Sequence, residues 1–235
     1  MSQKVFFPII MMLLTFTTAC SSQKSTAEQE GEKVVEEAIV SKNGITNIED
    51  YKKGKPYENA PYAVFAGGCF WCIEGAFQQL DGIIDVVSGY SGGDKAFPTY
   101  HEVGSGTTGH AESVVIFYDS TKWDYPALLE VFFDAHHPTQ ANGQGPDIGS
   151  QYRAVVFYEN EEQKRMAEEY IRQLNASGKY DKPIATKVSP FKTFWVAEEY
   201  HQDYYEHHPE NPYVQQVSKP KVEKIARLYP NRIKH

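Results

Sequence analysis

From residue 62 onward the apolar positions follow two periods in turn, and each change of period marks a predicted element. YAVFA (62–66) is a short unbroken apolar run and predicts a buried strand. CFWCIEGAFQQL (69–80) sets Phe70, Ile73, Phe77 and Leu80 at helical spacing, with Gly82 as a stop. IIDVVSGY (83–90), AESVVIFY (111–118) and QYRAVVFY (151–158) read as three further strands. Between the last two, YPALLEVFFDAHH (125–137) is a helix with Asp124 as N-cap and Pro126 in its first turn. NEEQKRMAEEYIRQLNASG (160–178) is a long amphipathic helix capped by Asn160, with Gln163 three residues on and Gly178 at its end. PIATKVSP (183–190) is bracketed by prolines and fits an edge strand. The tail VAEEYHQDYYEHHPENPY (196–213) starts helical and ends in proline-broken coil.

Strand, helix, strand, strand, helix, strand is the order of a split βαβ unit. It predicts an α+β fold with a ferredoxin-like βαββαβ core, a mixed antiparallel sheet with helices packed on it, and a C-terminal extension. Right-handed crossovers put the third strand between the first two. Three loops then meet at one sheet edge: 67–69, 88–110 and 136–151. The second and third are long and glycine-rich, and long loops in a compact domain tend to carry function.

Before residue 62 the pattern changes. Residues 21–61 are rich in Glu, Lys, Ser and Asn and read as a solvated tether with a short helix at 32–40. Residues 1–20 pair Lys4 with an apolar run from Val5 to Phe16, the length of a signal-peptide core. TTAC (17–20) resembles a lipoprotein lipobox, with Thr17 where leucine is usual; Cys20 is then the lipidation site, and the competing reading is a plain secretory peptide. Either way the body, 62–235, is expected outside the cytoplasm, in a bacterial periplasm or envelope. The net charge of −8 argues against general nucleic-acid binding.

Two of the three cysteines, Cys69 and Cys72, stand at the first strand-to-helix turn. A helix N-terminus favours thiolate, which predicts a lowered pKa for Cys69, although the dipole supplies only ~0.3–1 kcal/mol. Cys72, one turn on, is within disulfide reach. A redox pair and a static disulfide staple both fit. Zinc does not: the remaining candidates, His101, His110, His136 and His137, offer no tight ligand pair near the turn. Phe70 and Trp71 fit either a small apolar pocket or core packing.

GCFWCIE (68–74), PTY (98–100), GTTGHAE (106–112) and DIGSQYR (147–153), in that order, resemble peptide methionine sulfoxide reductase A. The resemblance spans roughly 62–213. It implies that Cys69 attacks the sulfoxide sulfur and that Phe70 and Trp71 hold the substrate methyl. It implies that Glu112 binds and protonates the oxygen, and that Tyr100 and Tyr152 donate hydrogen bonds to it. It implies that Asp147 organises the site, that Tyr204 lines the pocket, and that His201 is structural. A carboxylate cannot donate, so Glu112 has to be neutral, which burial among apolar rings would achieve. The implied activity is thiol-dependent reduction of methionine-(S)-sulfoxide, free or in proteins, with no bound cofactor. Many members recycle through C-terminal cysteines. None follows Cys72 here, which leaves Cys72 or an outside thiol to resolve the Cys69 sulfenic acid, with Cys72 favoured. A thioredoxin-like donor, the membrane through Cys20, and a monomeric state complete the expectations. Two rival readings are a general thiol–disulfide oxidoreductase, against which the element order argues, and an anchored binding module with a structural disulfide.

Overall fold

The computed structural model describes residues 46–234. The expected signal segment, Cys20 and the helix at 32–40 lie outside the described residues. The sheet has six strands: β1 (Tyr62–Gly67), β2 (Ile83–Ser91), β3 (Ala111–Tyr118), β6 (Ala154–Tyr158), β7 (Lys187–Pro190) and β8 (Phe194–Val196). A separate two-stranded hairpin pairs β4 (Gly143–Gln144) with β5 (Asp147–Ile148). The order across the main sheet is β7-β6-β1-β3-β2-β8. Its middle four strands form the predicted split βαβ core, with β3 antiparallel to both β1 and β2. The edge strand expected around 183–190 is β7, which adds parallel to β6.

β1 reads as a continuous apolar run because both its faces are covered. Ala63 and Phe65 join the larger core under the helices, while Val64 and Ala66 join a second cluster on the opposite face. The larger core receives Phe70, Ile73 and Phe77 from α2 (Phe70–Gln78) and Leu128, Leu129 and Phe132 from α4 (Tyr125–Ala135). Ala167 of α5 (Glu161–Ala176) and Ile225 of α7 (Lys219–Leu228) complete it. Asp124 and Asn160 cap α4 and α5 by accepting the backbone N–H groups of Ala127 and Gln163, both at 2.9 Å.

Three features depart from the sequence reading. Residues 46–61 are not a solvated tether. Asn47 caps a short helix, α1 (Ile48–Tyr51), and Ile48 and Tyr57 are buried against the second cluster. A short strand not predicted from the sequence, β8, pairs with the free edge of β2 just ahead of the tail and takes in only Val196 of it; helical turns follow at Glu199–His201 and Tyr204–His207. Past Tyr213, where the sequence reading assigned no element, a π-helical turn, Val214–Ser218, runs into α7. Among the described residues no helix is long and apolar enough to cross a membrane.

Candidate active site

The ends of β1 and the starts of β3 and β6 bring the three predicted loops to one edge. Gly68 takes φ +94°, and a Cβ there would lie 2.5 Å from the Cβ of Gln144, so only glycine fits. Gln144 is buried and bonds the backbone of His137 in both directions: His137 N–H donates to Oε1 (2.8 Å) and Nε2 donates to His137 O (2.9 Å). The third loop is thereby held against the cysteine turn. The second loop is tied by His110, whose Nδ1 accepts from Gly93 N–H at 3.1 Å while Nε2 donates to Lys95 O at 2.7 Å.

Cys69 is the N-cap of α2 and is 5% exposed; Cys72 is fully buried, and both are free thiols. Glu112, on β3, is 2% exposed, and its Oε2 accepts the Phe70 N–H at 3.1 Å. With Oε2 held as an acceptor, a proton on the carboxyl sits on Oε1 and is free to be donated. Burial pushes Glu112 up to about 8, with the Asp147 and Cys72 charges adding to the shift and the Phe70 amide opposing it. A neutral carboxylic acid therefore stands beside the cysteine turn at pH 7.

The expected lowering of Cys69 is not found. Burial pushes its thiol up, a hydrogen bond with Cys72 and the Glu112 carboxyl add to that, and only Tyr213 among the main influences works the other way. Cys72 is pulled down to about 6, chiefly by that thiol–thiol hydrogen bond and then by Lys221 and Ser218, against burial. The helix N-terminus is outweighed because the site is dry: desolvating a thiolate costs more than a partial dipole returns. Between the two sulfurs, burial weighs against a thiolate on Cys69, while the surrounding donors and Lys221 favour one on Cys72.

The aromatic walls follow. Phe70 is 1% exposed and lies against Tyr90, Tyr100 and His201, so it forms a floor beneath the opening. Trp71 is half-buried, stacked on Tyr204 at 3.8 Å and meeting Tyr213 edge-on at 5.9 Å. Burial and the nearby Glu112 charge push the Tyr100 phenol up to about 12 and also raise Tyr152, so both remain donors at any ordinary pH. Asp147 accepts the Tyr213 O–H at 2.5 Å. His201 has both ring nitrogens buried without partners among the described residues and is held neutral, its pKa lowered to about 4 by burial. Cys69, Cys72, Phe70, Trp71, Tyr100, Glu112, Asp147, Tyr152 and Tyr204 are thus gathered at one edge of the sheet. Among the described residues, no cluster of His, Cys, Asp and Glu could hold a metal ion.

Sequence reasoning passed over four residues here. Tyr213 sits in the stretch read as coil, and Ser218 hydrogen-bonds Cys72 Sγ at 3.3 Å from beyond it. Glu198 accepts from Tyr90 O–H (2.8 Å) and Tyr100 N–H (2.9 Å), fixing the start of α3 (Tyr100–Gly104). Glu74 is buried and accepts from Ser88 Oγ and from the amides of Asp203 and Tyr204. One signal was available: Thr99 and Glu102 form the T-x-x-E capping box that starts α3.

The model of the family described as peptide methionine sulfoxide reductase matches residues 61–232. The peptide methionine sulfoxide reductase MsrA of Natronomonas pharaonis is 48% identical over 171 residues, covering 73% of this chain and 96% of that protein. The MsrA of Thermus thermophilus is 51% identical over 167 residues, covering 71% and 94%. Among solved structures, Mxr1 from Saccharomyces cerevisiae in reduced form superposes with a TM-score of 0.61 at 32% identity, covering 64% of this chain and 87% of that one. Methionine sulfoxide reductase A of Corynebacterium diphtheriae gives 0.59 at 29% identity, covering 67% and 78%. Matches of this extent to a site built around a buried thiol pair and a neutral acid make the chain a member of the peptide methionine sulfoxide reductase family, an enzyme that reduces methionine sulfoxide at the expense of thiols.

Proposed function

We propose that this chain reduces the S epimer of methionine sulfoxide, free and in proteins, through a sulfenic acid on Cys69 and a Cys69–Cys72 disulfide. The observation that carries the reading is the Glu112–Phe70 hydrogen bond, which ties a buried neutral carboxyl to the residue next to Cys69. As substrate enters, Phe70 and Trp71 take the methyl group. Glu112, Tyr100 and Tyr152 donate to the sulfoxide oxygen, whose negative charge grows as sulfur is attacked. Cys69 passes its proton to Cys72, the other sulfur of the pair, and attacks as thiolate. The oxygen, protonated by Glu112, then passes from the substrate sulfur to Cys69. The newly formed bond between the two sulfurs and the substrate S–O bond break as it does so, so that methionine leaves and Cys69 carries S–OH. Cys72 then displaces that oxygen as water and forms the disulfide. A thioredoxin-like protein reduces the pair by exchange. Asp147 orients Tyr213, and Tyr204 backs the Trp71 ring.

The methyl pocket contributes only ~0.8 kcal/mol by transfer, so the enzyme should accept methionine sulfoxide in many peptide contexts. The signal-like residues 1–20 and the lipobox at Cys20 support work outside the cytoplasm, on a membrane-anchored chain that repairs envelope proteins. The test is turnover of each pure epimer with dithiothreitol. Only the S epimer should be consumed, and Cys69→Ser should retain the fold with no turnover. Full turnover in that variant would contradict the mechanism.

A further inference from the structure

The start of α7 lies over Cys72. Ser218 Oγ is 3.3 Å from Cys72 Sγ, and the residue itself is fully buried. One turn on, Lys221 turns its ammonium inward: Nζ is buried and has no hydrogen-bond partner among the described residues. A buried ammonium without a partner is costly unless an anion compensates it. The groups whose charges bear on it from other elements are Cys72 and His136. His136 is no anion. Its Nδ1 faces Phe132 O at 2.6 Å and its Nε2 faces Thr186 Oγ1 at 3.1 Å, and burial holds it neutral. The other titratable groups facing Cys72 are Cys69, Glu112, Asp147 and Tyr213. None of these is a cation; Lys221, one turn on from the Ser218 that touches the sulfur and with its Nζ buried, is the cation whose charge favours the Cys72 thiolate.

We propose that Ser218 and Lys221 form a thiolate-holding site for Cys72, Ser218 donating to the sulfur and Lys221 balancing its charge, so that the second sulfur is kept ready to attack the sulfenic acid. In that step Cys72 gives up the proton it took from Cys69, its S⁻ forms the S–S bond and the Cys69 S–O bond breaks. The leaving hydroxide takes that proton and departs as water. Cys72 is oxidised and the sulfenic sulfur is reduced, with no outside reagent. Lys221 is a positioning residue, since it acts through Cys72. This assignment rests on the resolving role given above to Cys72, but the charge site can be measured without it.

The experiment follows thiolate ultraviolet absorbance between about pH 5 and 9 in Cys69→Ser, where Cys72 is the only thiol of the site that titrates. Adding Lys221→Met should raise the midpoint by about one unit or more, and Lys221→Arg should restore most of it. Adding Ser218→Ala, which removes a single oxygen, should raise it by about half a unit and serves where Lys221→Met does not fold. In the otherwise native enzyme, Lys221→Met should slow disulfide formation after one turnover by about ten-fold near pH 6.5. An unmoved midpoint in both Lys221→Met and Ser218→Ala overturns the proposal. A raised midpoint alongside undiminished recycling in Cys72→Ser keeps the charge site and overturns the resolving role instead.

Discussion

At the scale of residues, the roles of Glu112 and Cys69 were not equally legible. The GTTGHAE resemblance gave Glu112 its role as a donor, which only a neutral acid can fill, and burial raises it as the chemistry needs. The state of Cys69 was not legible, because it depends on a second buried sulfur and on how much water reaches the pair, which no motif encodes. Glu112→Gln separates catalysis from stability. The folded-state pKa of Glu112 lies above its unfolded value. Its contribution to stability is therefore complete below the ordinary carboxyl range and is lost as pH rises toward about 8. Gln has no charge to bury, so the variant should be more stable than the parent at high pH, and the gap should close toward pH 4. Turnover should fall by about 10²-fold or more, since the acid is gone. Urea denaturation at both pH values, alongside single-epimer turnover, checks both halves. In the parent enzyme, turnover should decline above about pH 8 as Glu112 ionises.

At the scale of elements, the four core strands and three long helices could be read because each carries a full period of its pattern. The shortest of the missed elements carries less than one. β8 has three residues, too few to show alternation. α7 contains Pro220, which lacks the N–H that a helix interior uses, and the chain meets it with a π-wound turn just before. The short helix α6 (Tyr204–His207) has no side-chain cap and follows Asp203 at φ +54°. It is held from outside by Glu74 of α2, which accepts the amides of Asp203 and Tyr204 at 3.2 Å each. That anchor sets the Tyr204 ring flat against Trp71. In Glu74→Gln one accepting oxygen becomes an NH₂ facing donors. KM for a sulfoxide peptide should rise about five-fold, the worth of one lost hydrogen bond, with kcat changing less. A kcat loss at constant KM would instead place Glu74 in the chemical step.

At the scale of the whole molecule, the sheet is covered on both faces, and the cover on the active-site face is closed last by the C-terminal segment. Ile225 of α7 is fully buried in the main core, and Lys234 N–H reaches Gln79 O at 2.8 Å at the end of α2. Cys72 lies beneath this cover, so its access to water depends on whether α7 lifts alone or only with the entire fold. The buried apolar surface under the π-helical turn and α7 is modest, resting on Val214, Val222 and Ile225, which favours separate lifting. Ile225→Ala should cost about 2–5 kcal/mol and speed alkylation of Cys72 in a Cys69→Ser background by the same free energy. Val115→Ala, in the second cluster behind the sheet, should lower global stability in urea but leave alkylation unchanged. The second variant weakens the molecule without weakening the segment over the thiol. Equal acceleration in both would mean that Cys72 meets solvent only through complete unfolding, and that any reductant acting on the disulfide must approach from the Cys69 side.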